Sequence, residues 1–281
     1  MNSKTIKRLL IFFIGLPVVI LICLLPYQNN LLFNIAVVIS SAIAAYEMHN
    51  MLSTQAVLFP KWAVIAASAL NPLLNYICIR FKLDLNYTIW LLILEIIIFM
   101  GVESFTAKTF ENSAKKIGFT SLILFYCGYM LAFIGKLSAI ESNPSYFIAL
   151  FILLVYMCDS IAWFFGITMG KSTRGKIACS PNKSIVGFIG GVAGSIVSGL
   201  IAWFFFKNIF TGSPLKMLLL SVLTALAAIT GDLVESVIKR SCNFKDSGGI
   251  IPGRGGILDS IDSLIVAAPV YYITCYFLYL I

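Results

Sequence analysis

Nine stretches of this 281-residue chain run for roughly twenty residues with almost no charge, and no other feature constrains its folding as much. They cover residues 9–26, 31–48, 62–79, 87–103, 117–137, 146–169, 185–206, 215–238 and 258–280. An α-helix rises about 1.5 Å per residue, so about 20 apolar residues cross the ~30 Å hydrocarbon core of a bilayer. In lipid every backbone polar group needs an internal partner, which leaves helices and closed barrels as spanning structures. A barrel calls for short alternating strands; these runs are continuous and rich in Leu and Ile, so helices are expected. Composition agrees: 60% of residues are apolar and 11% charged, against about 45–50% and about 25% in soluble domains. A secreted enzyme, a disordered scaffold and a soluble nucleotide-binding domain are thereby excluded. The expected fold class is all-α, a polytopic integral membrane protein with about nine transmembrane helices.

The first run follows Lys4, Lys7 and Arg8, as a signal peptide would. It lacks a clear small-residue cleavage site and eight more runs follow, so it is read as a retained helix. With the N-terminus in the cytoplasm, the bases on the far side are Arg80, Lys82, Lys136, Lys207 and Lys216; the other 15 of the 20 Lys and Arg fall inside. Cytoplasmic loops carry the basic excess, which sets the N-terminus in and the C-terminus out. The net charge of +8 then marks a cytoplasmic phosphate-binding face in a cell inner membrane, with no nucleic-acid partner. The seven cysteines are at least 20 residues apart and read as free apolar thiols. The single histidine, His49 beside Glu47, reads as a headgroup-level polar residue rather than a metal ligand. Residues 1–140 form an N-terminal set of membrane helices. Residues 141–281 form a second set carrying the basic, Gly-bearing loops 170–184 and 239–257.

Acidic residues cluster late in the chain: Asp232, Glu235, Asp246, Asp259 and Asp262, with Asp159 and Glu95 alone in earlier spans. An ionisable group in a span costs several kcal/mol unless paired or hydrated, so it marks a functional site. Asp232, Glu235, Ser236, Lys239 and Arg240 share one helical stripe. A snorkelling helix end accounts for Glu235, Lys239 and Arg240, but Asp232 sits deeper. Asp259 and Asp262 lie three apart, on one face of the next helix's first turns. Two carboxylates together repel unless a cation lies between them. Asp232, Asp259 and Asp262 are therefore candidate ligands for Mg²⁺, with a second cation left open. Gly248, Gly249, Gly253, Gly255 and Gly256 let backbone N–H groups approach an anion, and Lys239, Arg240, Lys245 and Arg254 supply positive charge. Carboxylates for metal, bases for phosphate and a Gly-rich turn describe phosphoryl or nucleotidyl transfer. GKSTRGKIACSPNKS, residues 170–184, adds four bases on the same face. It is no P-loop, since no GxxxxGK precedes it.

The stretch SVIKRSCNFKDSGGIIPGRGGILDSID, residues 236–262, resembles the signature of the phosphatidate cytidylyltransferases, SxxKRxxxxKDxGxxxPGHGGxxDRxD. Asp159, Gly170-Lys171 and SPNKSIVG, residues 180–187, resemble further family elements, so the motif match covers the C-terminal half. Arg254 stands where the signature has His, Ser260 where it has Arg, Ser184 where Thr is usual and Val186 where Glu is usual. The resemblance implies transfer of a cytidylyl group from CTP to phosphatidate, giving CDP-diacylglycerol and pyrophosphate. It implies catalytic roles for Asp232, Lys239, Arg240, Lys245, Asp246, Asp259 and Asp262. It implies substrate contacts from Asp159, Lys171, Ser180, Lys183, Ser236, Gly253, Arg254, Gly255 and Gly256. CTP, phosphatidate and the lipid bilayer are the expected partners, and monomer and homodimer both stay open. The rival readings are a CDP-archaeol synthase, a CTP-dependent polyprenol or diacylglycerol kinase, a catalytically dead scaffold, and an ion-coupled transporter using Glu95, Asp159 and Asp232.

Overall fold

A computed structural model describes residues 16–251 and 255–279, with side chains from residue 20 onward. Its helices are α1 (Leu16–Leu24), α2 (Leu31–Leu52), α3 (Lys61–Phe81), α4 (Tyr87–Thr106), α5 (Ser113–Ala139), α6 (Pro144–Thr168), α7 (Ile185–Phe205), α8 (Pro214–Ser241) and α9 (Leu258–Tyr279). The last eight, α2–α9, are long and apolar enough to cross a membrane. The first expected span, 9–26, lies partly outside the described residues; its described part is α1. Among the described residues there is no β-strand, only two isolated antiparallel bridges, Arg174 with Ser184 and Ile251 with Gly255.

Lipid is written into the helix faces. α4 buries Thr88, Glu95 and Glu103 along with Leu92, while Trp90, Ile93, Leu94, Ile97 and Ile98 face outward. A water-soluble helix does the reverse. Inside, Glu95 accepts a hydrogen bond from the Asn71 amide of α3 at 2.8 Å, which offsets part of its burial cost. All seven cysteines are free, as expected, and buried His49 bonds the Phe59 carbonyl through Nε2 at 3.0 Å.

Small residues set how closely the helices approach. Without a hydrophobic drive between helices in lipid, close backbone packing carries the association. Gly187, Gly190, Gly191 and Gly194 form a stripe along α7 at i, i+3, i+4 and i+7. A Cβ at Gly191 would lie 2.9 Å from the Cys158 carbonyl of α6. α6 and α7 accordingly form the most extensive pair, followed by α8 with α9.

In the middle of α5, Leu124–Met130 forms a π-helical turn packed on α2, α3 and α9. Such a turn loosens the regular ladder and leaves a carbonyl in need of another donor. Ser41 of α2 meets that need: its hydroxyl donates toward the Cys127 carbonyl at 2.7 Å and the Ser68 carbonyl at 3.1 Å. The turn carries buried Tyr126 toward the side where α8 meets α9.

Candidate active site

Lys239 was expected to open the loop 239–257, but the structure keeps Lys239 and Arg240 in the last turn of α8. Two effects extend the helix: cations are favoured at its C-terminus, and Glu235 pairs with Lys239 one turn on. The Lys239 ammonium lies 2.5 Å from Glu235 and 2.5 Å from Asp259 in the first turn of α9. The three side chains are 11%, 1% and 6% exposed, so one cation bridges two acids that water barely reaches. The second oxygen of Asp259 accepts from Gly256 N–H at 2.7 Å, Ser247 N–H at 2.8 Å and the Ser247 hydroxyl at 2.9 Å. Asp259 thus ties the end of α8 to the loop that enters α9. Gly255, at φ +109°, makes the turn just before it, where a side chain would be strained and would strike the Asp259 carboxylate.

A second carboxylate holds this loop from the other side. Glu47, 2% exposed on α2, accepts from Leu258 N–H at 2.8 Å, Ile257 N–H at 3.1 Å and the Ser247 hydroxyl at 3.0 Å. The first N–H groups of a helix have no intrahelical acceptor, and a carboxylate at that end also meets the favourable end of the helix dipole. Sequence reasoning named Glu47 only as a neighbour of His49 and passed over Ser247. The available signal was an acid inside an apolar run, the criterion that singled out Glu95.

Deeper in the bundle the remaining acids gather. α8 and α9 cross at Gly231, where an added Cβ would run into the Asp262 backbone. Asp262, 7% exposed, has Asp232, Glu235 and Asp159 within electrostatic reach. Its oxygen accepts the Ser263 N–H at 2.6 Å, and no Lys or Arg pairs with it among the described residues. The Ser263 hydroxyl reaches Asp159 at 3.4 Å. Asp232 forms an ion pair with Lys183 from the 170–184 loop. Tyr126, from the π turn of α5, has the same acids Asp262, Glu235 and Asp232 within electrostatic reach.

The three expected metal ligands therefore separate. Buried Asp262 lies near half-buried Asp232 and Asp159, whereas Asp259 turns to Lys239 and the loop. Among the described residues no three His, Cys, Asp or Glu side chains form a ready-made metal cage.

The 170–184 loop lies against the end of α8. The Arg240 guanidinium donates to the Cys179 carbonyl at 3.4 Å and to Phe244 O at 2.9 Å, while Arg174 reaches back to Gly166 O at 2.5 Å. Ser184 caps α7, its hydroxyl accepting Gly187 N–H at 3.0 Å, so the hydroxyl it shares with Thr has a structural use. Replacing Ser184 with Ala is expected to cost about 1 kcal/mol of stability, and with Thr much less. Thermal unfolding in detergent checks this: equal losses for both would remove the cap argument. Ser180 is half-buried and Ser236 buried, while Lys171, Lys245 and Asp246 are exposed. Gly253 and Arg254 lie outside the described residues. Gly256 packs against Glu47 and Ser247 rather than facing open space.

The candidate site is thus a group of acids at the crossing of α8 and α9, with basic loops at one end. The chain belongs to the cytidylyltransferase family, which it matches over residues 6–278. It is 36% identical over 148 residues to a phosphatidate cytidylyltransferase of Staphylococcus haemolyticus, an alignment covering 51% of this chain and 56% of that one. With the enzyme of that name from Haemophilus influenzae it shares 33% identity over 198 residues, 64% of this chain and 67% of the relative. With that from Staphylococcus epidermidis it shares 29% over 276 residues, 96% of each. The chain spans little more than half the length of the first of these relatives. Its family and its apolar helices make it an integral membrane protein.

Proposed function

We propose that this protein transfers the cytidylyl group of CTP to phosphatidate, releasing pyrophosphate, with its site on the cytoplasmic face of an inner membrane. A phosphatidate oxygen attacks the α-phosphorus of CTP; that P–O bond forms as the bond to the β-phosphate breaks. Two polyanions must meet, so charge neutralisation is the main task. No general base is needed, because a phosphate monoester is already ionised near neutral pH.

The observation that carries this reading is the signature stretch of residues 236–262. Lys239 bridges Glu235 and Asp259 while Ser247, Gly256 and Asp259 close the loop between α8 and α9. Exposed Lys171 and Lys245, with Arg240 joining the two loops, present positive charge where a water-soluble nucleotide would arrive. Lys183 on Asp232 stands between that surface and the acidic interior, in place to meet a phosphate at the boundary.

The residues present suit a hard divalent cation. Asp262 is buried near Asp232, Glu235 and Asp159, and no Lys or Arg pairs with Asp262 itself among the described residues. Asp232 and Asp262 would hold Mg²⁺, with Asp159 beside them, and Asp259 would act by fixing Lys239 and the loop. When bound, the ion would offset phosphate charge. Phosphatidate would enter laterally between helices while CTP arrives from water.

The test uses CTP labelled at the α- or the γ-phosphate, incubated with purified protein and phosphatidate. Label in lipid from α-labelled CTP alone is expected. Transfer of the γ-label would instead establish a kinase.

A further inference from the structure

We propose that Glu47 is a positioning residue for nucleotide binding, acting on the loop between α8 and α9 from the N-terminal half of the chain. This rests on the cytidylyl-transfer reading above and assigns a role to a residue outside the C-terminal motifs. The Glu47 carboxylate sits where the two ends of the loop meet. Ser247 and Gly248 approach it from the α8 side, and Gly256, Ile257 and Leu258 from the α9 side. A Cβ at Gly248 or Gly256 would collide with that carboxylate, so the loop is shaped around it.

The connection onward is specific. The single hydroxyl proton of Ser247 is shared between Glu47 Oε2 at 3.0 Å and Asp259 Oδ2 at 2.9 Å. Asp259 Oδ1 in turn takes the Lys239 ammonium at 2.5 Å. Glu47, Ser247, Asp259 and Lys239 form one chain of contacts running from α2 through the loop to the end of α8. Glu47 is 2% exposed and has no Lys or Arg partner among the described residues. A buried carboxylate without a counter-cation is costly unless several donors satisfy it. The donors that satisfy it here all belong to the loop and the start of α9, so its charge is directed at holding that segment. The segment ends at the face where Lys245 and Asp246 are exposed to water, the side from which CTP comes.

Glu47→Gln keeps the size of the side chain but replaces one acceptor oxygen with an N–H₂ group, which cannot accept from Leu258 N–H or Ser247. Hydrogen bonds to a charged group are among the stronger ones, so a rise in KM for CTP of about tenfold or more is expected. KM for phosphatidate should stay within about twofold, since the lipid approaches through the bilayer. Hydrogen exchange at residues 246–251 and 255–258 should quicken in the variant, with little change in α6 and α7. Glu47→Asp, which keeps the charge on a shorter arm, should recover part of the CTP affinity. A simple loss of stability would lower the amount of active enzyme and leave KM for CTP as it was. Glu47→Gln that folds, exchanges faster in the loop and keeps the original KM for CTP would overturn the proposal, as would unchanged exchange. The unmutated protein run alongside separates the two claims. If it forms no CDP-lipid, the functional reading falls; if it does and Glu47→Gln matches it in KM for CTP, this inference falls.

Discussion

Replacing Asp262 with Asn is expected to lower CDP-lipid formation by about 10²–10³-fold while leaving the protein as stable as before, or more so. The two halves of that expectation have one cause. Asp262 is 7% exposed, faces Asp232, Glu235 and Asp159, and has no Lys or Arg partner among the described residues. Without a cation between them such carboxylates repel one another, and burial adds to the cost. Asn has nearly the same shape and carries no charge, so it relieves the folded state. If the charge serves to bind a cation that offsets phosphate, the same change removes several kcal/mol of transition-state stabilisation. Activity measured against Mg²⁺ concentration, together with thermal unfolding in detergent, checks both. Turnover close to that of the unmutated protein would remove Asp262 from the cation site. Lost activity with lost stability would make it a packing residue.

Lys239→Met is expected to fail in the opposite way, losing stability and activity together. Lys239 is the cation between Glu235, 1% exposed, and Asp259, 6% exposed. Removing one partner of a buried ionic group costs about 3–5 kcal/mol, because the remaining charge stays buried and unpaired. Here two acids would be left facing each other, and the Asp259 link between α8 and the loop would be halved. A lower unfolding midpoint, with little CDP-lipid formed even at temperatures where the variant is folded, is the expected pair of results. The double variant Glu235→Gln with Lys239→Met should recover much of the stability and none of the activity. Recovery of both would show that Lys239 serves packing alone.

The spans were legible because hydropathy over twenty residues is a strong, local signal; α2–α9 begin and end within a few residues of the expected runs. The π turn at Leu124–Met130 was not, since its sequence carries no local break and the hydroxyl that serves its Cys127 carbonyl, Ser41, comes from another helix. The stripe of Gly187, Gly190, Gly191 and Gly194 shows in the sequence as spacing, but the helix it packs on does not. In the site, the acids of α8 and α9 were found from their burial cost. The structure sets Asp259 apart from Asp232 and Asp262. Asp259 and Asp262 are three residues apart, which leaves about 60° between them around the helix. In the first turn of α9 that angle points one to Lys239 and the loop and the other into the bundle. Glu47 stayed hidden because the donors it serves lie about 200 residues away, at Ser247, Ile257 and Leu258. Arg240 likewise meets its loop partner, Cys179, only through the fold.

The most direct test is product stoichiometry with the purified protein reconstituted in vesicles. CTP and phosphatidate are supplied with Mg²⁺, and CDP-diacylglycerol and pyrophosphate are measured in the same samples. Both products are expected in equal amounts, dependent on phosphatidate and lost with Asp262→Asn. Pyrophosphate or ion flux that proceeds without phosphatidate, or CDP-lipid formation that survives Asp262→Asn, would contradict that expectation.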